Sequence, residues 1–182
     1  MIRQIQTKFL RRAGREYSPR QRLVFMAFLG VFFLALLPYL LFRLGAALDG
    51  WLGWPSFLFP PLNAVVGGLV TFGGWLLAIW TISVQFTVGR GTPVPVMATK
   101  KLITQPPYSY CRNPMVLGTI GVFIGLAIVF GSIGSLLLVL IAITLLLLYV
   151  RRVEEREMAL RFGQEYEEYK RQTPFLIPRL RS

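Results

Sequence analysis

Residues 115–150, M-V-L-G-T-I-G-V-F-I-G-L-A-I-V-F-G-S-I-G-S-L-L-L-V-L-I-A-I-T-L-L-L-L-Y-V, contain no charged side chain. As one helix these 36 residues would extend about 54 Å, against a hydrocarbon core of about 30 Å. The stretch therefore has to fold back, and Gly131-Ser132-Ile133-Gly134-Ser135 supplies the turn residues for it. Two helices result, the first of roughly 16 residues, short enough to require tilt or local thinning of the bilayer. Such a hairpin returns both of its flanks to one side of the membrane. Arg112 stands before it and Glu154-Glu155 follow it, so a fixed cation and two carboxylates meet at one membrane face.

Composition agrees with a membrane protein. The 182 residues are 54% hydrophobic and 15% charged, with a mean hydropathy of +0.57, whereas soluble domains carry about 25% charged residues. The formal charge of +12 does not indicate nucleic acid, because the basic residues flank apolar runs instead of covering a soluble face. Length predicts a single membrane domain over 1–182.

Residues 1–22 form a basic N-terminus with seven cations against Glu16. The apolar run Leu23–Phe42 is too long for a signal-peptide core and reads as an uncleaved first span, broken or kinked near Pro38. From Gly45 to Leu62, Trp51, Trp54, Phe57 and Phe59 interleave with glycine and proline, which predicts an interfacial loop or short re-entrant segment. Asn63–Val88 is the second span, so 23–88 holds two, and Gly67-Gly68 and Gly73-Gly74 allow close helix approach. Gly89-Arg90-Gly91-Thr92-Pro93-Val94-Pro95 ends it as a helix exit and extended linker, with neither the strand nor the helix that a phosphate loop needs. With the hairpin, about four transmembrane helices make an all-α, polytopic fold. Nineteen of the twenty cations then fall on one side, which places both termini in the cytoplasm of a multi-pass protein.

Residues 101–118, K-L-I-T-Q-P-P-Y-S-Y-C-R-N-P-M-V-L-G, are the polar, turn-rich passage between the apolar runs. Pro106-Pro107 and Pro114 keep the backbone irregular, and irregular backbone at a membrane edge needs covering protein or a wet cavity. The tail from Arg151 holds six of the eight acids, and Met158, Phe162, Tyr166 and Tyr169 form an apolar stripe. It reads as an amphipathic cytoplasmic helix on the headgroups, as a lid over the 101–114 loop, or as both.

The chain has no histidine and one cysteine. This excludes a Ser-His dyad, an H-E-x-x-H zinc site, His-ligated haem and a disulfide, and no metal is expected. Cys111, without a general base in view, reads as a packing residue. No carboxylate lies inside a span, so a proton-coupled carrier lacks its usual group.

Leu102-Ile103, Pro107-Tyr108, Tyr110, Arg112-Asn113-Pro114-Met115 and Leu117-Gly118, followed by an apolar hairpin, resemble the core signature of the isoprenylcysteine carboxyl methyltransferase and phospholipid methyltransferase group. Glu154-Glu155, Phe162-Gly163, Glu165-Tyr166, Tyr169 and Ile177-Pro178 resemble that group's C-terminal pattern. Pro106 and Val116 depart from it, standing where the group usually has glycine and an aromatic ring. The resemblance covers about 101–178, makes 89–182 a methyltransferase-like region, and implies a bacterial-type enzyme of the cytoplasmic membrane using S-adenosyl-L-methionine. It further implies Arg112 and Glu155 as catalytic, and Lys101, Leu102, Ile103, Tyr108, Arg112, Asn113, Pro114, Glu154 and Glu155 as cofactor-binding. In that frame the glutamates suit the ammonium or ribose hydroxyls, the arginine suits the carboxylate, and the backbone of Lys101–Ile103 suits the adenine edge.

The implied acceptor is a lipidic or membrane-embedded small molecule with a carboxylate or amine head. Residues 115–130 offer polar lining only at Thr119, and Gly118, Gly121 and Gly125 would leave a gap for a lipid tail or serve close helix packing. An NADPH-dependent reductase of the steroid-reductase type and a non-catalytic membrane protein are the alternative readings.

Overall fold

The computed structural model describes residues 19–57, 59–89, 99 and 101–179, and is helical, with no strand among the described residues. The basic segment 1–18 and the linker 90–98 lie outside the described residues. Helix α1 (Pro19–Val31) passes through a π-helical turn, Phe32–Leu36, into α2 (Leu37–Leu52). Next come α3 (Leu62–Thr87), α4 (Pro114–Phe130) and α5 (Ile133–Tyr149). A second π-helical turn, Val150–Glu154, leads into α6 (Glu155–Phe162), and α7 spans Gln164–Gln172.

Three helical stretches, Phe32–Leu52, Leu62–Thr87 and Ile133–Phe162, are long and apolar enough to cross a membrane. Helix α4 is a further apolar helix of 17 residues, about 25 Å long. Large side chains point outward along them, with Leu69 67%, Phe72 62% and Leu145 62% exposed. Water would penalise that surface heavily, whereas hydrocarbon does not.

Proline 38 does not break the first span. Proline has no N–H and crowds the carbonyl one turn back; the π turn lies directly before it, where Leu37 N–H donates to Phe32 O, five residues earlier. The loop expected from Gly45 begins instead at Gly53, whose left-handed φ of 65° ends α2. Tertiary contact overrides the glycine and tryptophan signals. Gly45 is buried against Ser135, and the carboxylate of Asp49 accepts from Gly134 N–H at 2.7 Å and from Ser132 Oγ–H at 2.6 Å. The turn expected over 131–135 contracts to Gly131, with φ 60°, and Ser132. Ser132 Oγ accepts from Ser135 N–H at 3.0 Å as the N-cap of α5. The tail helix expected from Arg151 is continuous with the span before it through the π turn, and divides at Gly163, φ 56°.

The Cα atoms group into two compact units. The first comprises 30–78 and 115–148. Its buried core is Phe123, Ala127 and Val139, packed by Leu37, Leu41, Phe42, Ile124, Leu136 and Ile143. Helices α3 and α4 meet backbone to backbone. A Cβ on Gly74 would lie 2.6 Å from Gly118 O, and one on Gly67 would lie 2.6 Å from Gly125 O. Gly121 faces Gly74 Cα, 3.2 Å from its own would-be Cβ. The gap for a lipid tail at Gly118, Gly121 and Gly125 is therefore closed, and those glycines serve helix packing. Asn63 Nδ2 donates to Phe57 O at 3.2 Å and to Ile128 O at 2.9 Å, while Oδ1 accepts from Phe59 N–H. The second unit comprises the described parts of 1–29, 79–114 and 149–182, and carries the polar loop.

Candidate functional site

The loop before α4 turns twice, with Tyr108 N–H on Gln105 O at 2.9 Å and Tyr110 N–H on Pro107 O at 3.2 Å. The Pro106–Pro107 peptide is cis. Pro114 then opens α4, where the missing N–H costs nothing. Irregular backbone of this kind must find partners outside itself. It finds them in the segment after α7. Arg112 N–H donates to Pro174 O at 2.8 Å, Asn113 Nδ2 to Phe175 O at 2.9 Å, and Arg179 N–H to Tyr110 O at 3.0 Å. Residues 173–179 thus run as a strap along residues 110–113.

Arg112 is the knot of this arrangement. Its Nε and Nη2 both donate to Glu155 Oε1, at 3.1 and 2.7 Å. Its Nη1 donates to Lys170 O at 2.9 Å and to Thr173 O at 2.6 Å. Both charged side chains are 9% exposed, where an unpaired charge would be strongly unfavourable. Phe175 lies against two cations, with the guanidinium carbons of Arg112 and Arg151 5.8 and 5.4 Å from its ring centre. Arg161, paired with Glu157 at 3.7 Å, also donates to Thr99 O and so ties α6 to the start of the loop.

Tyrosines line the same region. Tyr169 O–H donates to the backbone carbonyl of Tyr108 at 2.7 Å, and the Tyr166 and Tyr169 rings stand 6.2 Å apart. Burial pushes the Tyr108 phenol up to about 12, opposed by a hydrogen bond from Gln85 and reinforced by the nearby charge of Glu154. Burial likewise raises Tyr166 and Tyr169, so these phenols stay protonated donors at neutral pH. Cys111 is buried at 1% exposure and its thiol is pushed up by that burial, as a packing residue requires.

Of the residues singled out from sequence, Arg112 and Glu155 touch directly, Asn113 is tied to the strap, and Pro114 is fully buried. Tyr108 is held from both sides, by Gln85 and Tyr169. Ile103 is buried near Gly89, Leu102 is half-buried and Lys101 is exposed. Glu154 is exposed and forms no ion pair among the described residues. Gln85, Thr173, Pro174 and Phe175 were not legible as partners of the loop. The one local signal for the strap was Ile177-Pro178 just beyond it.

Arg112's charge is largely neutralised by Glu155, so the pair fixes geometry more than it attracts an anion. Glu154, next in sequence, has no cation paired with it among the described residues; desolvation, with the neighbouring charges of Glu157 and Glu155, pushes its carboxyl above the usual carboxylate range. A helical membrane protein with a buried arginine–carboxylate pair at a strapped polar loop is the class these residues define. The chain belongs to the phospholipid methyltransferase family, whose model matches residues 62–165. It is 33% identical over 109 residues to the cobalt-zinc-cadmium resistance protein CzcN of Cupriavidus metallidurans, covering 58% of this chain and 50% of that protein. It is 30% identical over 118 residues to methanethiol S-methyltransferase 2 of Bradyrhizobium diazoefficiens, covering 59% of this chain and 43% of that protein. The match spans about half the length of these curated relatives or less.

Proposed function

We propose that this protein is an integral membrane methyltransferase that takes its methyl group from S-adenosyl-L-methionine and transfers it to a lipidic or membrane-embedded acceptor. The observation that carries the reading is the carboxylate of Glu154, without an ion pair among the described residues, next to the Arg112–Glu155 pair and inside the segment that the family model matches. The donor has a cationic amino end, a carboxylate and ribose hydroxyls, and the residues present fit it. Glu154 suits the ammonium, while Arg112 is held by Glu155, Lys170 and Thr173, with Tyr166 beside it. Lys101, Leu102, Ile103 and Tyr108 complete the binding loop, while Asn113 and Pro114 shape it. When bound, S-adenosyl-L-methionine would supply an activated methyl carbon with its own leaving group, so the protein's main work is positioning. Arg112 and Glu155 do this by immobilising each other and the strap. A carboxylate acceptor is already ionised, whereas an amine or thiol must also give up its proton.

The acceptor atom is open to oxygen, nitrogen or sulfur, and the relative named for methanethiol supports including sulfur. Its route does not run between α3 and α4 at Gly118–Gly125, where the backbones touch. With four spans, the one-sided cations put both termini in the cytoplasm; a reporter fused near Gly50 that read as cytoplasmic would end that topology.

The decisive test is transfer of labelled methyl from S-adenosyl-L-methionine into membrane lipid by the purified protein, with titration of S-adenosylhomocysteine. Glu154→Gln is expected to weaken binding by about 10-fold or more, the loss of one charge-assisted contact. A wild-type protein that binds neither compound would overturn the reading.

A further inference from the structure

Gln85 sits on α3, two residues before its end at Thr87. Its Nε2 donates to the Tyr108 hydroxyl, and its Oε1 is buried without a hydrogen-bond partner among the described residues. The same helix disposes of other polar groups locally, since the hydroxyls of Thr71, Ser83 and Thr87 all bond to carbonyls four residues back. An orphaned buried carbonyl is uncommon in a folded protein and points to a partner that arrives from outside. Exchanging the ends of the amide would not complete it: Tyr108 would then donate to the amide oxygen, and two buried N–H donors would be left without an acceptor.

Tyr108 carries a matching vacancy. Its hydroxyl oxygen accepts from Gln85, Tyr169 occupies its backbone carbonyl and not its hydroxyl, and no acceptor takes the phenolic proton among the described residues. Burial keeps that proton in place well above neutral pH. The two side chains therefore form one hydrogen-bonded unit that presents a spare acceptor beside a spare donor. The amidine edge of adenine is its complement, with an amino donor next to a ring-nitrogen acceptor. Glutamine amides read adenine's amino group in this sense elsewhere in recognition chemistry. A methyl acceptor, in contrast, needs to present only its one reacting atom.

We infer that Gln85 and Tyr108 read the adenine of the methyl donor, the 6-amino group donating to Gln85 Oε1 and the ring nitrogen beside it accepting from the Tyr108 hydroxyl. The inference rests on the donor proposed above, and assigns base recognition to a residue outside the signature loop. The test compares S-adenosylhomocysteine with S-inosylhomocysteine, in which a carbonyl and a ring N–H reverse the pattern, by calorimetric titration in detergent. Wild-type protein should favour the adenosyl compound by about 10-fold or more. Gln85→Leu and Gln85→Met should bind the two within about twofold of each other, and Tyr108→Phe should reduce the preference in part. Elution volume and unfolding midpoint matched to wild type establish that each variant is folded. A wild type without preference, or a Gln85 variant that keeps it, overturns this inference and leaves the donor intact. A wild type that binds neither compound overturns the donor, and this inference with it.

Discussion

The α3–α4 contact and the strapped loop hold chain to chain by opposite means. Between α3 and α4 there is almost nothing but backbone: Gly67, Gly74, Gly118 and Gly125 remove the side chains that would keep the helices apart. Apolar side chains gain little by leaving lipid for each other, so close approach and dispersion must supply the attraction. At residues 107–114 the backbone is irregular and its groups need partners, so directed hydrogen bonds from Arg112, Asn113 and Tyr169 do the holding. The first contact depends on what is absent and fails when atoms are added. The second depends on what is present and fails when atoms are removed.

Enlarging a packed glycine is the harshest test of this contrast. Gly125→Leu should cost about 3 kcal/mol or more, since its Cβ alone would stand 2.6 Å from Thr71 N. Gly73→Leu, with nothing within 4 Å, should leave the unfolding midpoint in detergent nearly unchanged. Equal damage from both would show that the contact is not what the glycines serve. Arg112→Ala comes next, leaving a buried carboxylate and two carbonyls without their donor, at a cost of about 3–5 kcal/mol. Arg112→Met with Glu155→Leu should recover much of that stability and none of the methyl transfer, which separates holding the fold from holding the ligand. Asp49→Asn should cost least, about 1–2 kcal/mol for the lost charge on a helix N-terminus, with affinity for S-adenosylhomocysteine unchanged. A large fall in that affinity would mean the cap reaches beyond its own unit.

The hairpin was readable because a charge-free run can be measured against a bilayer, and length needs no knowledge of partners. The meeting of Arg112 with Glu155 followed from the same ruler, since a hairpin brings its flanks together. The packed faces were harder. Gly67-Gly68 and Gly73-Gly74 are alike as dipeptides, and only the seven-residue spacing of Gly67 with Gly74, matched by Gly118 with Gly125, marks which glycines face the neighbour. Asp49 caps a helix 85 residues away, so the end of α2 looked like a loop. Gln85 is one polar residue near the end of an apolar run, and nothing local separates a ligand contact from a helix boundary. The strap over 173–179 has no periodicity, because its value lies in carbonyls that every residue has.

The strap also imposes an order of assembly. The loop's partners lie 58–62 residues further along the chain, so Arg112 reaches the membrane face long before Lys170, Thr173 and Phe175 exist. Until then Glu155 can take part of its guanidinium, but the backbone of residues 110–113 has only water to satisfy it, and the loop must wait on the aqueous side. Cys111, at 1% exposure in the finished protein, is a built-in reporter of that waiting period. In membrane-inserted chains stopped before Thr173 it should react readily with a maleimide, and in chains carried through Arg179 it should be protected. Equal reactivity in the two would mean that the loop closes without its strap.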